Sequence, residues 1–123
     1  MDRVVESYPN GQAKEILTYS IQAGDSLILR QRSFYENGQL KMAGDFDVRG
    51  SRDGLWLYYY QDGKLWSESE YDHGKRHGKS IVYYDNGQVR FKGMYDQNQV
   101  LKETFVYYKR SGEEMSPTDL TQP

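Results

Sequence analysis

The residue types able to do chemistry are few in this chain, and their spacing argues against most of it. His73 and His77 are the only histidines. They stand four apart, a spacing that makes a metal site on one face of a helix. Here the stretch between them is Gly74-Lys75-Arg76, a glycine-broken loop with Asp72 as its one adjacent carboxylate and no cysteine in the chain, so no metal is expected. Glu68, Glu70 and Asp72 invite an acid–base reading. Two apart on a strand, Glu68 and Glu70 share a face at roughly 6.5–7 Å, but a one-layer ribbon offers little desolvation to split their pKa values. They read as a solvated face. Asn37-Gly38-Gln39 and its equivalents are no phosphate loop, because no helix follows to supply aligned amides. The basic run from Gly74 to Lys79 has too few charges for stable membrane attachment, so membrane contact is not expected without a lipid anchor.

No nucleophile, acid–base pair or ligand cluster survives, and the expectation is a non-enzymatic protein with no catalytic residue and no cofactor. What remains is aromatic and apolar surface. Leu55, Leu57, Tyr59, Trp66 and Tyr83 are the candidate partner-binding residues, because Trp and Tyr are enriched at interface hot spots. The plainer account is that Trp66 and Tyr59 cover each other across a strand pair.

The scaffold that must position these residues is thin. In 123 residues the apolar fraction is 37% with Tyr counted, below the ~45–50% of ordinary globular domains. Tyr supplies 12 rings against 4 Phe and 2 Trp. Little Leu, Ile or Val is left for a thick interior, so the composition suits a ribbon in which each tyrosine packs its ring and keeps its hydroxyl near water. A net charge of −2, from 16 basic and 18 acidic residues mixed along the chain, disfavours nucleic acid as a partner. No apolar stretch approaches the ~20 residues of a membrane span. Met1 is followed at once by Asp2-Arg3-Val4-Val5, with no apolar signal core. Two locations stay open: cytoplasmic, or the envelope or periplasm if an export or lipoprotein signal has been removed.

A repeat organises the chain. Tyr8-Pro-Asn-Gly11, Tyr35-Glu-Asn-Gly38, Tyr60-Gln-Asp-Gly63, Tyr84-Asp-Asn-Gly87 and Tyr108-Lys-Arg-Ser-Gly112 place tyrosines at spacings of 27, 25, 24 and 24 residues. Tyr19, Phe46, Tyr71 and Tyr95 each follow a turn glycine by eight residues. Asn-Gly and Asp-Gly between alternating apolar runs signal β-hairpins, here with two-residue type I′ loops. The fold expected is all-β: an elongated, single-layer antiparallel sheet of about five consecutive hairpins, about ten strands, over residues 1–115, followed by a disordered tail at 116–123.

Two-residue loops would pair Tyr60 with Leu65, Tyr58 with Ser67, Trp56 with Ser69 and Gly54 with Tyr71. In the next unit Tyr84 would meet Val89, Val82 would meet Phe91, Ser80 would meet Gly93 and Gly78 would meet Tyr95. One face then collects the rings from Trp56 to Tyr95 and should be packed, with rings lying over the bare backbone of Gly54 and Gly78. The other face mixes Leu55, Leu57, Tyr59, Trp66, Ile81 and Tyr83 with Glu68, Glu70, Arg90 and Lys92. Unpaired backbone on the first and last strands opens the way to edge-to-edge homodimers or to strand addition by a partner.

These residues carry a family resemblance. Tyr59 to Gly78 (Tyr-Tyr-Gln-Asp-Gly-Lys, then Gly-Lys-Arg-His-Gly) and Tyr83 to Tyr95 resemble the MORN repeat, and more specifically the bacterial MORN-variant repeat found in toxin–antitoxin system antitoxins. Looser copies start at Phe34 and Tyr8, so the resemblance spans roughly residues 6 to 115. It departs near Leu29 and Lys102, where the glycine of the second half is absent. The resemblance implies stacked hairpins and protein–protein contact, with a toxin as one partner and an antitoxin or immunity role as the function. The alternative is a structural or envelope-associated, lipoprotein-like spacer.

Overall fold

A computed structural model describes residues 1–116. Among them nine strands follow one another: β1 Asp2–Ser7, β2 Ala13–Gln22, β3 Asp25–Phe34, β4 Leu40–Phe46, β5 Arg52–Tyr59, β6 Leu65–Asp72, β7 Lys75–Tyr83, β8 Val89–Asp96 and β9 Gln99–Tyr107. They form one sheet in sequence order, each antiparallel to the next, with β1 and β9 at its open edges. This is the expected meander of hairpins. The tenth strand shrinks to a single bridge, Tyr108 with Glu114. The tail foreseen at 116–123 lies, beyond Ser116, outside the described residues.

The turns depart from expectation in an informative way. At Tyr60 the Gly63 N–H donates to the Tyr60 carbonyl at 3.0 Å, and the Tyr60 N–H donates to Lys64 at 2.7 Å. Gly63 has φ +94°, while Asp62 and its equivalents Asn10, Asn37 and Asn86 keep negative φ. This is a three-residue loop ending in a left-handed glycine, not a two-residue type I′ loop. The side chain before the glycine bends the loop instead: Asn37 Oδ1 accepts from the Gln39 N–H at 2.9 Å, and Asp62 Oδ1 from Lys64 at 3.0 Å. Loops with positive φ at both residues lie on the opposite edge, at Ala23-Gly24, His73-Gly74 and Gln97-Asn98.

The extra loop residue shifts the register close to each turn. Inward, Tyr58 faces Ser67, Trp56 faces Ser69 and Gly54 faces Tyr71, as the spacing predicts. Nearer the turn, Tyr59 rather than Tyr60 faces Leu65, which leaves Trp66 as the unpaired residue of a bulge. The next hairpin repeats the slip, with Tyr83 rather than Tyr84 opposite Val89.

The core is one ring deep. Trp56 is the sole fully buried apolar side chain among the described residues. It lies on Gly44 of the neighbouring strand, where an added Cβ would come within 2.0 Å of the indole, and its Nε1 donates to the Asp45 carbonyl at 3.0 Å. Burying such a ring contributes on the order of 3 kcal/mol. Phe105 covers Gly93 in the same manner. Between these two pairs sit Ser69 and Ser80, their hydroxyls 2.6 Å apart. The glycines expected beneath rings, Gly54 and Gly78, serve otherwise. They have φ of +79° and +106°; nothing lies near a Cβ on Gly54, and the Glu70 carboxylate approaches Gly78.

Along one edge each turn is clasped to the next. The hydroxyls of Tyr8, Tyr35, Tyr60 and Tyr84 donate to the carbonyls of Phe34, Tyr59, Tyr83 and Tyr108 at 2.7–2.8 Å. These hydroxyls therefore stitch successive hairpins together rather than face water. Beside them the amides of Asn10, Asn37 and Asn86 donate to Glu36, Gln61 and Arg110. Asp62 has no N–H to give, and Lys64 Nζ replaces it, reaching the Asp85 carbonyl at 3.2 Å.

Candidate functional site

The ring face offers the most chemistry. Trp56 meets Phe46 and Tyr71 edge-on, with centroids 5.2 and 6.4 Å apart, and Phe105 ties Tyr95, Phe91 and Tyr107 into a second cluster. Strand alternation puts these rings on one side, and a one-layer sheet sets no second layer on them. Apart from the buried Trp56 they stay partly exposed, Tyr107 at 37%, and Trp66 nearby is 44% exposed.

Two arginines lie on these rings. The Arg52 guanidinium is centred 4.1 Å from the Trp56 ring and 5.6 Å from Tyr71, and its Nη1 donates to the Tyr58 hydroxyl at 3.0 Å. Arg76 sits 5.4 Å from the Tyr95 ring and donates to the Tyr71 and Tyr95 hydroxyls at 3.4 and 3.3 Å. Tyr71 stands between them. Burial by itself would raise its phenol, but the hydrogen bond and charge of Arg76, joined by those of Arg52, outweigh burial and hold it below the ordinary tyrosine value. Among the described residues no carboxylate pairs with either arginine, whereas Arg30, Arg32 and Arg110 are matched by Asp45, Asp2 and Asp85.

The residues singled out from the sequence are divided by the fold. Leu55, half exposed, and Leu57 share the mixed face and line a shallow depression with Leu40 and Ala43, beside the Arg30–Asp45 and Arg32–Asp2 ion pairs. Tyr83 is on the strand pair beyond, and its hydroxyl reaches Glu68 at 3.4 Å; burial first, then the Glu68 charge, raises its phenol. Trp66 does not cover Tyr59. The bulge turns its ring to Tyr58 and Tyr60, at 6.3 and 5.8 Å, and so onto the ring face. Tyr59 is half-buried opposite Leu65, and its carbonyl is occupied by the Tyr35 hydroxyl. Arg52 carries no role in the sequence reading, and Arg76 enters it only as part of the basic run from Gly74 to Lys79. Their signal was present: each stands two residues before a positive-φ glycine, Gly54 or Gly78, at equivalent places in the repeat.

On the edge opposite the tyrosine clasps, the sheet assembles carboxylates that the sequence keeps far apart. His73 Nδ1 lies 2.8 Å from Asp47 Oδ2 and its backbone N–H donates to Asp53, while Asp72 is 3.6 Å from Nε2. Asp72 is therefore not the one carboxylate near this histidine. Asp47, only 7% exposed, also accepts from the Arg49 and Ser51 N–H groups. The bond to His73 first, then that from Ser51, holds its carboxyl below the usual value, and the Asp47 bond with the Asp53 charge raises the imidazole. Asp53, Asp72 and His73 could offer three ligand atoms within 4.8 Å of one another. His73 is 72% exposed, and the arrangement already serves to join two turns.

Comparison with known proteins bears on the repeat as a whole. Residues 29–47, 52–73 and 76–97, together just over half of the chain, match three copies of the family described as MORN repeat variant. Each copy spans one hairpin closed by a clasped turn: β3–β4, β5–β6 and β7–β8. No curated protein matches the chain.

Proposed function

The chain belongs to the MORN repeat variant family, and from that premise we propose that it is a non-enzymatic protein-binding module which engages its partner with the ring face of its sheet. Repeats of this kind are binding modules built without catalytic machinery. The observation that supports the ring face is its incompleteness: among the described residues only Trp56 is a wholly buried apolar side chain, and a row of half-buried Tyr, Trp and Phe rings has no second layer. Tyr, Trp and Arg together are the composition of interface hot spots. In its finer form, the partner is a toxin that the chain neutralises as an antitoxin or immunity-type protein, a reading supported by the resemblance of the Tyr59–Gly78 unit to such proteins.

Affinity capture from source cells, with cross-linking to locate contacts, tests this reading. Trp66→Ala is expected to lose the partner without a change in melting temperature, and Leu55→Ser on the opposite face is expected to keep it. Loss with Leu55→Ser alone would move the site to the mixed face. Recovery of no protein partner, with the chain fractionating into the envelope, would favour the spacer role instead. Relief of growth arrest on co-expression with a toxic neighbouring gene tests the finer form.

A further inference from the structure

We infer that the ring face is built for an acidic partner segment, with Arg52 and Arg76 as the paired receptors for its Asp or Glu carboxylates and the Tyr71 hydroxyl between them. This rests on the proposed protein-binding role and specifies the chemistry of the partner. The argument is charge complementarity. Three guanidiniums elsewhere are answered by carboxylates, Arg30 by Asp45, Arg32 by Asp2 and Arg110 by Asp85, while Arg90 lies over the Tyr84 ring on a different part of the repeat. Arg52 and Arg76 are answered by rings and phenol oxygens alone among the described residues. Both lie on the ring face of this one-layer sheet, where the aromatic side chains gather.

Geometry favours carboxylate recognition. A guanidinium laid on an aromatic ring is held in one orientation, and it keeps donors free for a planar acceptor such as a carboxylate, which it can grip with two hydrogen bonds. The two arginines act close together, because both interact with Tyr71: the Arg52 guanidinium is 5.6 Å from its ring and Arg76 Nε is 3.4 Å from its oxygen. The surrounding rings, Trp56, Tyr58 and Tyr95, limit solvent around the ion pairs and offer apolar contact to the residues that alternate with the acidic ones. A lipid surface fits less well, since two fixed charges are too few for stable attachment to an anionic bilayer.

The test is selection from a random peptide phage library on the folded, full-length chain, with an Arg52→Gln/Arg76→Gln variant in parallel. The wild-type pool is expected to become rich in Asp and Glu interleaved with apolar residues. The selected peptides, labelled for fluorescence anisotropy, should bind more weakly as salt is raised and lose tenfold or more in affinity to the double variant. Because Arg52 also packs on Trp56, Arg76→Gln alone serves if the double variant melts early, with a loss of at least threefold expected. A pool enriched in apolar or basic peptides, its binding sensitive to Trp66→Ala, would overturn the acidic inference while leaving the binding module in place. No enrichment at all would overturn both. Arginine-dependent sedimentation with phosphatidylserine vesicles, without peptide enrichment, would replace the acidic protein by a membrane.

Discussion

At the scale of single residues, two glycines separate steric from conformational demand. Gly44 has no room for a side chain, since a Cβ there would meet the Trp56 ring at 2.0 Å. That ring is fully buried and anchored to the Asp45 carbonyl, so it cannot step aside without losing its hydrogen bond. Gly54 is the reverse: φ is +79° and nothing lies within 4 Å of its Cβ position. Gly44→Ala should therefore destabilise by about 3 kcal/mol, as overpacking does, and Gly54→Ala by only about 1 kcal/mol, the cost of a left-handed alanine. Urea unfolding followed by tryptophan fluorescence checks the order. Equal midpoints for the two variants would mean that the ring is free to move.

At the scale of the hairpin, the clasped turns explain why the repeat keeps Tyr and Asn where it does. The tyrosine hydroxyl and the asparagine amide each reach a carbonyl of the following turn, so that every hairpin is tied to its neighbour outside the strand ladder. The one substitution in the series carries its own compensation. Asp62 cannot donate, and Lys64, two residues on, supplies the missing donor to the Asp85 carbonyl. Lys64→Met is expected to cost about 1 kcal/mol, the lower range for a charged hydrogen bond because the side chain is half exposed. Asp62→Asn should be close to neutral alone and should recover most of that loss in the Lys64→Met background. A double-mutant cycle from urea midpoints measures this, and strict additivity of the two changes would remove the compensation.

For the whole molecule, extensive contacts run only between consecutive strands, so stability is distributed along the array and falls toward its ends. β1 is exposed at every residue, while Trp56 and Ser80 anchor β5 and β7. Hydrogen exchange should show the slowest amides in β5 to β7 and the fastest in β1, with β9 between them. Uniform protection from end to end would instead indicate one all-or-none unit. The same architecture leaves two sheet faces and two edges open, the surface on which the proposed binding role would act.

Much of this was legible without coordinates. Hairpin number, strand order and the register of Trp56 with Ser69 or Ser80 with Gly93 depend on local turns, and local turns are written in adjacent residues such as Asn86-Gly87. Only the tertiary structure decided which ring lies on which glycine, that Trp66 turns to the ring face, that Asp47 and Asp53 meet His73, and that Arg52 and Arg76 share Tyr71. Each of these joins residues across a bulge or between neighbouring hairpins. A bulge moves every later partner by one position, and the ladders between hairpins, which start from turns such as His73-Gly74, slip again at Ser69/Tyr71 and Lys92/Met94, so the spacing along the chain does not give the final partners.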